Sequence, residues 1–365
     1  MNDRIAIVTG GGDCPGLNAV IRAVVKAASR RNWESFGFLG GYEGMLEPLQ
    51  YRSLDYREMD GMLFHGGTIL GTSNRGKFSA KTGHGDVRRV PQDVLLEAHD
   101  NFQKLNLRAL VCIGGDGSLT IAQQLYETGV PVVGIPKTID NDLDATIMTF
   151  GFETAVSTAV DALDRLYTTA QSHNRVMVLE VMGRYAGWIA GFAGLAGGAD
   201  VILIPEIPFS YNAIVSKIQE REQDGKHFTL VIVAEGAREH GNSYVTSDDA
   251  DEDREARLGG IGQLVAEQIQ ARTGKETRTV VLGHLQRGGS PTAWDRQLCT
   301  RFGVSAVECI GNELFGQMVA LTPQGIAPVE ILNAIDQIRT VPPDGELVRV
   351  GQALGISFGD GSNWA

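Results

Sequence analysis

Two short polar segments of this sequence hold residues that could carry out phosphoryl transfer. Residues 114–118 read G-G-D-G-S and residues 136–142 read P-K-T-I-D-N-D, and each segment follows an apolar run typical of a buried strand. Backbone N–H groups of a glycine turn that opens a helix can bind a phosphate. Asp116 would repel that phosphate unless a cation such as Mg²⁺ lies between them. Asp140 and Asp142 could supply a base for an attacking hydroxyl and a second charged group, so the two segments predict a small-molecule kinase.

A third glycine-rich turn, T-G-G-G-D-C-P-G-L-N-A at residues 9–19, follows an apolar run and opens a predicted helix. It has neither the G-x-G-x-x-G form of dinucleotide-binding turns nor the Walker form G-x-x-x-x-G-K-[ST]. Alone, this turn is equally compatible with phosphate binding and with close packing of a strand against a helix. The second glycine turn at 114–118 favours phosphate binding.

Further polar segments flank predicted strands, and ligands of parallel α/β sheets bind at the carboxyl ends of strands. The segments are S-H-N-R at 172–175, E-V-M-G-R-Y-A-G-W at 180–188, A-E-G at 234–236 and E-T-R-T-V-V-L-G-H-L-Q-R-G-G-S-P at 276–291. A single arginine is usually part of a surface ion pair, and a single histidine is usually a hydrogen-bonded structural residue. Repetition at strand ends favours a binding or catalytic role for Arg184, Glu235, His284 and Arg287.

Strand and helix patterns alternate along most of the chain, which predicts right-handed βαβ units and parallel sheets. Strands are predicted at residues 5–9, 35–39, 109–113, 130–135, 175–181, 201–204, 229–234, 279–282 and 318–321. Helices are predicted at residues 16–30, 91–105, 118–128, 151–169, 186–196, 211–224, 261–273, 292–310 and 328–338. Nine strands in 365 residues favour two doubly wound α/β lobes. Residues 61–90 and 238–258 are long connections, and the acidic run of the second predicts a solvated loop.

Composition argues against a nucleic-acid or membrane partner. The net charge of −12 disfavours binding to nucleic acid or to an anionic membrane. The most apolar segment, residues 185–204, contains five glycines and Asp200, so it predicts a helix followed by a strand rather than a membrane span. The N-terminal residues have no basic and apolar leader pattern, and a cytoplasmic location is expected.

The four cysteines are widely spaced and form no C-x-x-C pair. Cys112, Cys299 and Cys309 lie in apolar or helical patterns, which predicts buried thiols rather than a metal or disulfide site. Cys14 lies in a glycine loop and could be exposed.

Seven of these segments resemble the 6-phosphofructokinase family, in whose members they occur in the same order. They are G-G-D-C-P-G-L-N-A, G-G-D-G-S, P-K-T-I-D-N-D, S-H-N-R, E-V-M-G-R-Y-A-G, A-E-G and T-R-T-V-V-L-G-H-L-Q-R-G-G-S-P, and the resemblance extends from about residue 4 to residue 334. It implies two doubly wound three-layer αβα lobes with mostly parallel sheets and an active site between the lobes. The implied nucleotide-binding lobe comprises residues 1–150 and about 265–312, and the implied sugar-phosphate-binding lobe comprises residues 151–264 and about 313–340. Nothing is assigned to the C-terminal extension, residues 341–365.

The resemblance also implies roles in transferring the γ-phosphoryl group of ATP to the 1-hydroxyl of fructose 6-phosphate. Asp140 is the expected base, Asp142 its supporting carboxylate, and Thr138 a hydrogen-bond donor to the transferring group. Arg184 is the expected cation facing that group, and Asp116 is the expected Mg²⁺ ligand. The expected nucleotide-binding residues are Gly12, Tyr42, Arg75, Gly114, Gly117 and Ser118. The expected sugar-phosphate contacts are Met182, Gly183, Glu235, His284 and Arg287, with Arg175 and Arg278 supplied by a neighbouring subunit of a homotetramer or dimer.

Two positions bear on the phosphoryl donor. ATP-using members of the family carry Gly at both positions, and pyrophosphate-using members carry Asp at the first and Lys at the second. This chain has Gly117 and Lys137. A carboxylate at position 117 would repel the α-phosphate of ATP, whereas Lys137 would favour pyrophosphate without excluding ATP. ATP is therefore the expected donor.

Three other functions are compatible with parts of the pattern. A pyrophosphate-dependent phosphotransferase is suggested by Lys137. Lipid and NAD kinases share G-G-D-G but lack the other segments. A non-catalytic sugar-phosphate sensor or regulatory subunit would have no need of the intact T-I-D-N-D. Regulation stays open, since Arg22 and Lys26 match effector-phosphate positions of the bacterial enzyme but Tyr167 replaces a further arginine there.

Overall fold

The computed structural model of the chain describes residues 3–73, 76–78, 89–248 and 257–362. Within these ranges the strands are β1 (Arg4–Thr9), β2 (Glu34–Phe38), β3 (Tyr51–Leu54), β4 (Ala109–Gly114), β5 (Val132–Pro136), β6 (Val176–Val181), β7 (Val201–Leu203), β8 (Thr229–Ala234), β9 (Thr246–Asp248), β10 (Arg257–Leu258), β11 (Thr277–Val281), β12 (Gln317–Thr322) and β13 (Gly325–Glu330). The helices within them are α1 (Leu17–Arg30), α2 (Gln92–Lys104), α3 (Asp116–Glu127), α4 (Phe152–His173), α5 (Trp188–Ala196), α6 (Tyr211–Gln223), α7 (Ile261–Thr273), α8 (Ala293–Gly311), α9 (Ile331–Ile335) and α10 (Glu346–Ala353). Short 3-10 helices lie at Gly41–Met45, Tyr56–Met59 and Gly283–Arg287.

The chain forms two compact units, of which the first comprises Met1–Thr138, Leu143–Glu153 and Arg287–Ile338. Its seven-stranded sheet has the order β13-β12-β5-β4-β1-β2-β3, and its five inner strands run parallel. Ala6 and Val8 pack in one core with residues of α2, α3 and α9. Side chains alternate between the faces of a strand, and the intervening Ile5 and Ile7 are also fully buried. Both faces of the sheet are therefore covered, as in a doubly wound fold.

The second unit comprises Ile139–Asp142, Thr154–Gln286 and Arg339–Ala365. Its four strands are all parallel and have the order β11-β6-β8-β7. Helices α6 and α7 bury apolar side chains against β6, β7 and β8 in one continuous core. The C-terminal residues pack into this unit, since the Ile202 N–H donates to the Ser357 carbonyl at 2.9 Å, and the Ser357 N–H donates to the Asp200 carbonyl at 3.0 Å.

The α/β class with mostly parallel sheets is confirmed, and all nine predicted strands are present. The majority of their ends are shifted by one or two residues. The helix predicted at 328–338 is wrong in its first part, where β13 pairs antiparallel with β12. The predicted lobe boundaries also differ from the two units. Strand β11 pairs with β6 in the second unit, and β12 pairs with β5 in the first. Pairing between strands far apart in sequence decides this membership, and local patterns do not encode it.

All four cysteines are buried, so the expectation that Cys14 could be exposed is wrong. Its loop lies beneath Phe150, whose carbonyl faces the Cys14 sulfur at 3.8 Å. Residues 185–204 form α5 and β7, as predicted. None of the helices in the described ranges is long and apolar enough to cross a membrane.

Candidate active site

The two glycine turns of the first unit meet at the side chain of Ser118. The turns follow β1 and β4, which are adjacent parallel strands and therefore end at the same edge of the sheet. A Cβ atom added at Gly10 or at Gly114 would collide with the Ser118 side chain. Both positions require glycine because Ser118 fills the space that a side chain would occupy.

Tyr42 supports the second turn from the side. Its hydroxyl donates to the Ser118 carbonyl at 2.7 Å, and the ring is almost wholly buried. Burial raises the pKa of Tyr42 well above its usual value. The phenol is therefore neutral at physiological pH and retains the proton that it donates.

Two cations adjoin the first turn. The buried Lys137, directly after β5, donates from Nζ to the Gly12 carbonyl at 2.6 Å. Arg287 donates from Nη1 to the Asp13 carbonyl at 3.2 Å, and a Cβ atom at Gly12 would lie 2.7 Å from that Nη1. Arg287 was grouped by sequence with sugar-phosphate residues, and the structure places it in the first unit against this turn.

Asp116 is the first residue of α3, and Gly117 is the second. A carboxylate in the first turn of a helix lies in the positive end of the helix dipole. Among the residues that the structure describes, no three His, Cys, Asp or Glu side chains are grouped as a ready-made metal site. A single carboxylate next to a glycine turn that opens a helix nevertheless fits Mg²⁺, which is commonly held by one or two carboxylates together with substrate phosphates.

The carboxylates of P-K-T-I-D-N-D are buried in the second unit. Asp140 and Asp142 each expose 7% of their surface, and Asn141 between them adopts a left-handed φ of 54°. Asparagine tolerates this conformation better than most residues. The Asp142 carbonyl accepts a hydrogen bond from the Arg339 N–H at 2.8 Å. Thr138, which precedes this segment, belongs to the first unit, where its carbonyl accepts from the Thr149 hydroxyl at 2.7 Å.

Met182, Gly183 and Arg184 follow the carboxyl end of β6, and Glu235 follows the adjacent β8, as the sequence predicts. The Arg184 N–H donates to Glu235 Oε1 at 3.1 Å, and Arg184 has a left-handed φ of 53°. A Cβ atom at Gly236 would collide with the Arg184 carbonyl. The end of β8 therefore holds the Arg184 backbone in an uncommon conformation.

Gln286 is a site residue to which sequence reasoning assigned no role. It is fully buried, and its Oε1 accepts a hydrogen bond from the Met182 N–H at 2.8 Å. Gln286 lies within the segment L-G-H-L-Q-R-G-G-S-P, which the sequence analysis singled out. A glutamine in a polar segment gives no indication, however, that its side chain is buried. His284, in the same 3-10 helix, is exposed.

Arg175 directly precedes β6, Arg278 lies on the neighbouring strand β11, and the two arginines share one carboxylate. Glu276 pairs with Arg175 Nε at 2.7 Å and also with Arg278 Nη2. The hydrogen bond from Arg175, followed by the charges of both arginines, lowers the pKa of Glu276. Sequence reasoning missed Glu276, because its alternation with the arginines reads as an ordinary surface pattern. Arg75, an expected nucleotide ligand, lies outside the described residues.

Glycine turns, buried carboxylates and arginines at the ends of parallel strands define an α/β protein of the phosphotransferase class. The chain matches the family model described as Phosphofructokinase over residues 4–310. It therefore belongs to the phosphofructokinase family.

Individual relatives agree with this family. The chain is 51% identical over 359 residues to the ATP-dependent 6-phosphofructokinase of Chloroflexus aurantiacus, with 98% of each chain covered. It is 48% identical over 343 residues to the pyrophosphate–fructose 6-phosphate 1-phosphotransferase of Amycolatopsis methanolica, with 93% of this chain and 97% of the relative covered. The T-state phosphofructokinase of Pichia pastoris superposes with a TM-score of 0.80 at 31% identity, covering 92% of this chain and 36% of that one.

Proposed function

We propose that this protein transfers the γ-phosphoryl group of ATP to the 1-hydroxyl of fructose 6-phosphate, giving fructose 1,6-bisphosphate in glycolysis. The observation that carries the proposal is the buried Asp140–Asp142 pair, in a chain that is 51% identical along 98% of its length to an ATP-dependent relative. A sensor without catalysis would have no need of a buried pair of carboxylates, whose desolvation is costly.

Asp140 acts as the base that accepts the proton of the 1-hydroxyl, and Asp142 supports it. Arg184 faces the charge that develops on the transferring group, and Thr138 donates a hydrogen bond to that group. Phosphoryl transfer leaves the protein little covalent work besides positioning and charge stabilisation. The fixed backbone of Arg184, bonded to Glu235, supports such a role because a preset cation needs no reorganisation during the reaction.

ATP is held by the glycine turns of the first unit. The proposed contacts are Gly12, Tyr42, Gly114, Gly117 and Ser118, together with Arg75. Asp116 would hold Mg²⁺ together with phosphate oxygens, and the bound ion would neutralise phosphate charge. The turn backbone and the N-terminus of α3 orient the phosphates.

The sugar phosphate is held by residues of the second unit that follow its strands. Met182, Gly183 and Glu235 contact the sugar, while the roles of His284 and Arg287 as 6-phosphate ligands stay predictions. Arg175 and Arg278 serve the site of a neighbouring copy in a homotetramer or dimer. Since both pair with Glu276, a phosphate dianion would compete with this carboxylate for them. The proposed location is the cytoplasm.

The alternative donor is pyrophosphate, which Lys137 and the Amycolatopsis relative favour. Gly117 favours ATP, because no carboxylate stands at the position where the α-phosphate is expected. A coupled assay with fructose 6-phosphate and Mg²⁺ tests both donors in parallel tubes. Turnover with ATP alone supports the proposal, turnover with pyrophosphate alone overturns the donor, and no turnover with either overturns the activity.

A further inference from the structure

We propose that residues 339–341, together with Trp188 and Glu206, form a brace that positions the Asp140–Asp142 segment and the Arg184 segment within the second unit. This segment of chain lies beyond the residues matched by the family model, which end at 310. The inference rests on the proposed roles of Asp140 and Arg184. It assigns a function to Val341, the first residue of the C-terminal extension that the sequence left unassigned, and to residues 339–340 directly before it.

The first part of the brace joins Asp142 to the start of α5. The Arg339 N–H donates to the Asp142 carbonyl at 2.8 Å, and the Arg339 carbonyl accepts from Trp188 Nε1 at 2.9 Å. Arg339 thus bonds to both segments. The Arg339 guanidinium also lies 4.5 Å from the centre of the Trp188 ring, which is largely buried. A cation over a desolvated indole is among the stronger contacts of this kind.

The second part of the brace is the Glu206 carboxylate. Its Oε1 accepts from the Val341 N–H at 2.8 Å and from the Gly187 N–H at 2.9 Å. The carboxylate therefore ties the extension to the residue preceding Trp188. Hydrogen bonds from backbone N–H groups to a charged acceptor are stronger than those to a neutral one.

The brace reaches Arg184 through a tight turn. The Ala186 N–H donates to the Gly183 carbonyl at 2.9 Å, so Gly183 and Gly187 are the ends of one short ordered segment that contains Arg184. Asp142 lies two residues after Asp140. A shift of about 1 Å in a reacting group can lower turnover by roughly 10²-fold. Small displacements of Asp142 or Gly187 are therefore expected to lower kcat.

The test compares variants of the intact protein in the ATP and fructose 6-phosphate assay. Trp188→Phe keeps an aromatic ring but removes the Nε1 donor together with part of the indole, while Glu206→Ala removes the carboxylate and Glu206→Gln keeps an acceptor. We expect kcat to fall by about 3- to 30-fold for Trp188→Phe and Glu206→Ala, with KM for both substrates within about twofold of the wild type. Glu206→Gln is expected to restore part of the lost kcat.

Val348→Ala is the matched control, because Val348 is buried in α10 of the same extension and its apolar side chain makes none of the hydrogen bonds of the brace. It should lower the melting temperature and leave kcat unchanged. If Trp188→Phe and Glu206→Ala also leave kcat unchanged, or change only the melting temperature, the brace has no positioning role. A wild type without fructose 6-phosphate turnover would instead overturn the proposed function, and the inference with it.

Discussion

The Nζ atom of Lys137 lies 2.6 Å from the carbonyl oxygen of Gly12. Lys137 follows β5 and Gly12 follows β1, and β4 lies between these two strands in the sheet. The hydrogen bond therefore connects two loops across three strand ends. A cation that sequence alone associates with pyrophosphate use thus also bonds to the backbone of the first glycine turn.

Lys137→Met is expected to raise KM for ATP by about 5- to 10-fold, while ATP remains the donor. The substitution keeps an unbranched side chain one atom shorter but leaves the Gly12 carbonyl without this donor, which costs about 1–3 kcal/mol. Initial-rate kinetics with ATP and with pyrophosphate measure the effect. Lys104→Met is a suitable control because Lys104 is exposed. An unchanged KM for ATP would show that the turn does not depend on Lys137.

Gly117→Asp is expected to lower kcat/KM for ATP by roughly 100-fold. The new carboxylate would stand close to the α-phosphate, and repulsion between such charges amounts to a few kcal/mol at an effective dielectric constant of about 20. Gly117→Ala adds bulk without charge and should cost much less. If the two variants behave alike, steric crowding rather than charge governs this position. ATP kinetics untouched by either substitution would contradict the donor assignment.

Asp140→Ser is expected to lower kcat by about 10²- to 10⁴-fold, which is the usual range for the loss of a general base. KM for fructose 6-phosphate should change much less, because the base acts mainly in the transition state. Asp144→Asn provides the control, since Asp144 bonds to the Ala145 N–H and to Gln337 in the first unit. Near wild-type turnover in Asp140→Ser would remove Asp140 from the mechanism.

The native protein is expected to resist thiol reagents at pH 8. Burial raises the pKa of Cys14 to about 12, against which the nearby Lys137 charge acts only partly. At pH 8 the thiolate is then roughly a 10⁻⁴ fraction of the thiol. Titration with a chromogenic disulfide should therefore find no fast-reacting thiol until denaturant exposes all four cysteines. One fast-reacting thiol in the native protein would contradict the burial of Cys14.

The same shift predicts how stability changes at alkaline pH. A raised pKa means that the Cys14 thiol keeps its proton in the folded protein at pH values where the same thiol has lost it in the unfolded chain. The contribution of Cys14 to stability is therefore complete below the usual thiol pKa and is lost as pH rises toward 12. Melting temperatures measured from pH 8 to pH 11 for the wild type and Cys14→Ser should converge as pH rises.

The sequence by itself determined which short segments end buried strands and which polar residues follow them. Asp116, Asp140, Arg184 and Glu235 could all be placed at strand ends. This was possible because apolar periodicity and glycine turns are local signals, each read within a dozen residues.

Only the tertiary structure decided which of these segments touch. The contacts of Gln286 with Met182, of Arg287 with Asp13, and of Glu276 with two arginines join residues that no periodic pattern connects. The burial of Cys14 and the bonds of Arg339 have the same origin. Apart from the pair of Glu276 with its near neighbour Arg278, each contact joins segments distant in sequence within one unit, and their meeting is set by long-range hydrogen bonding and packing rather than by local propensity.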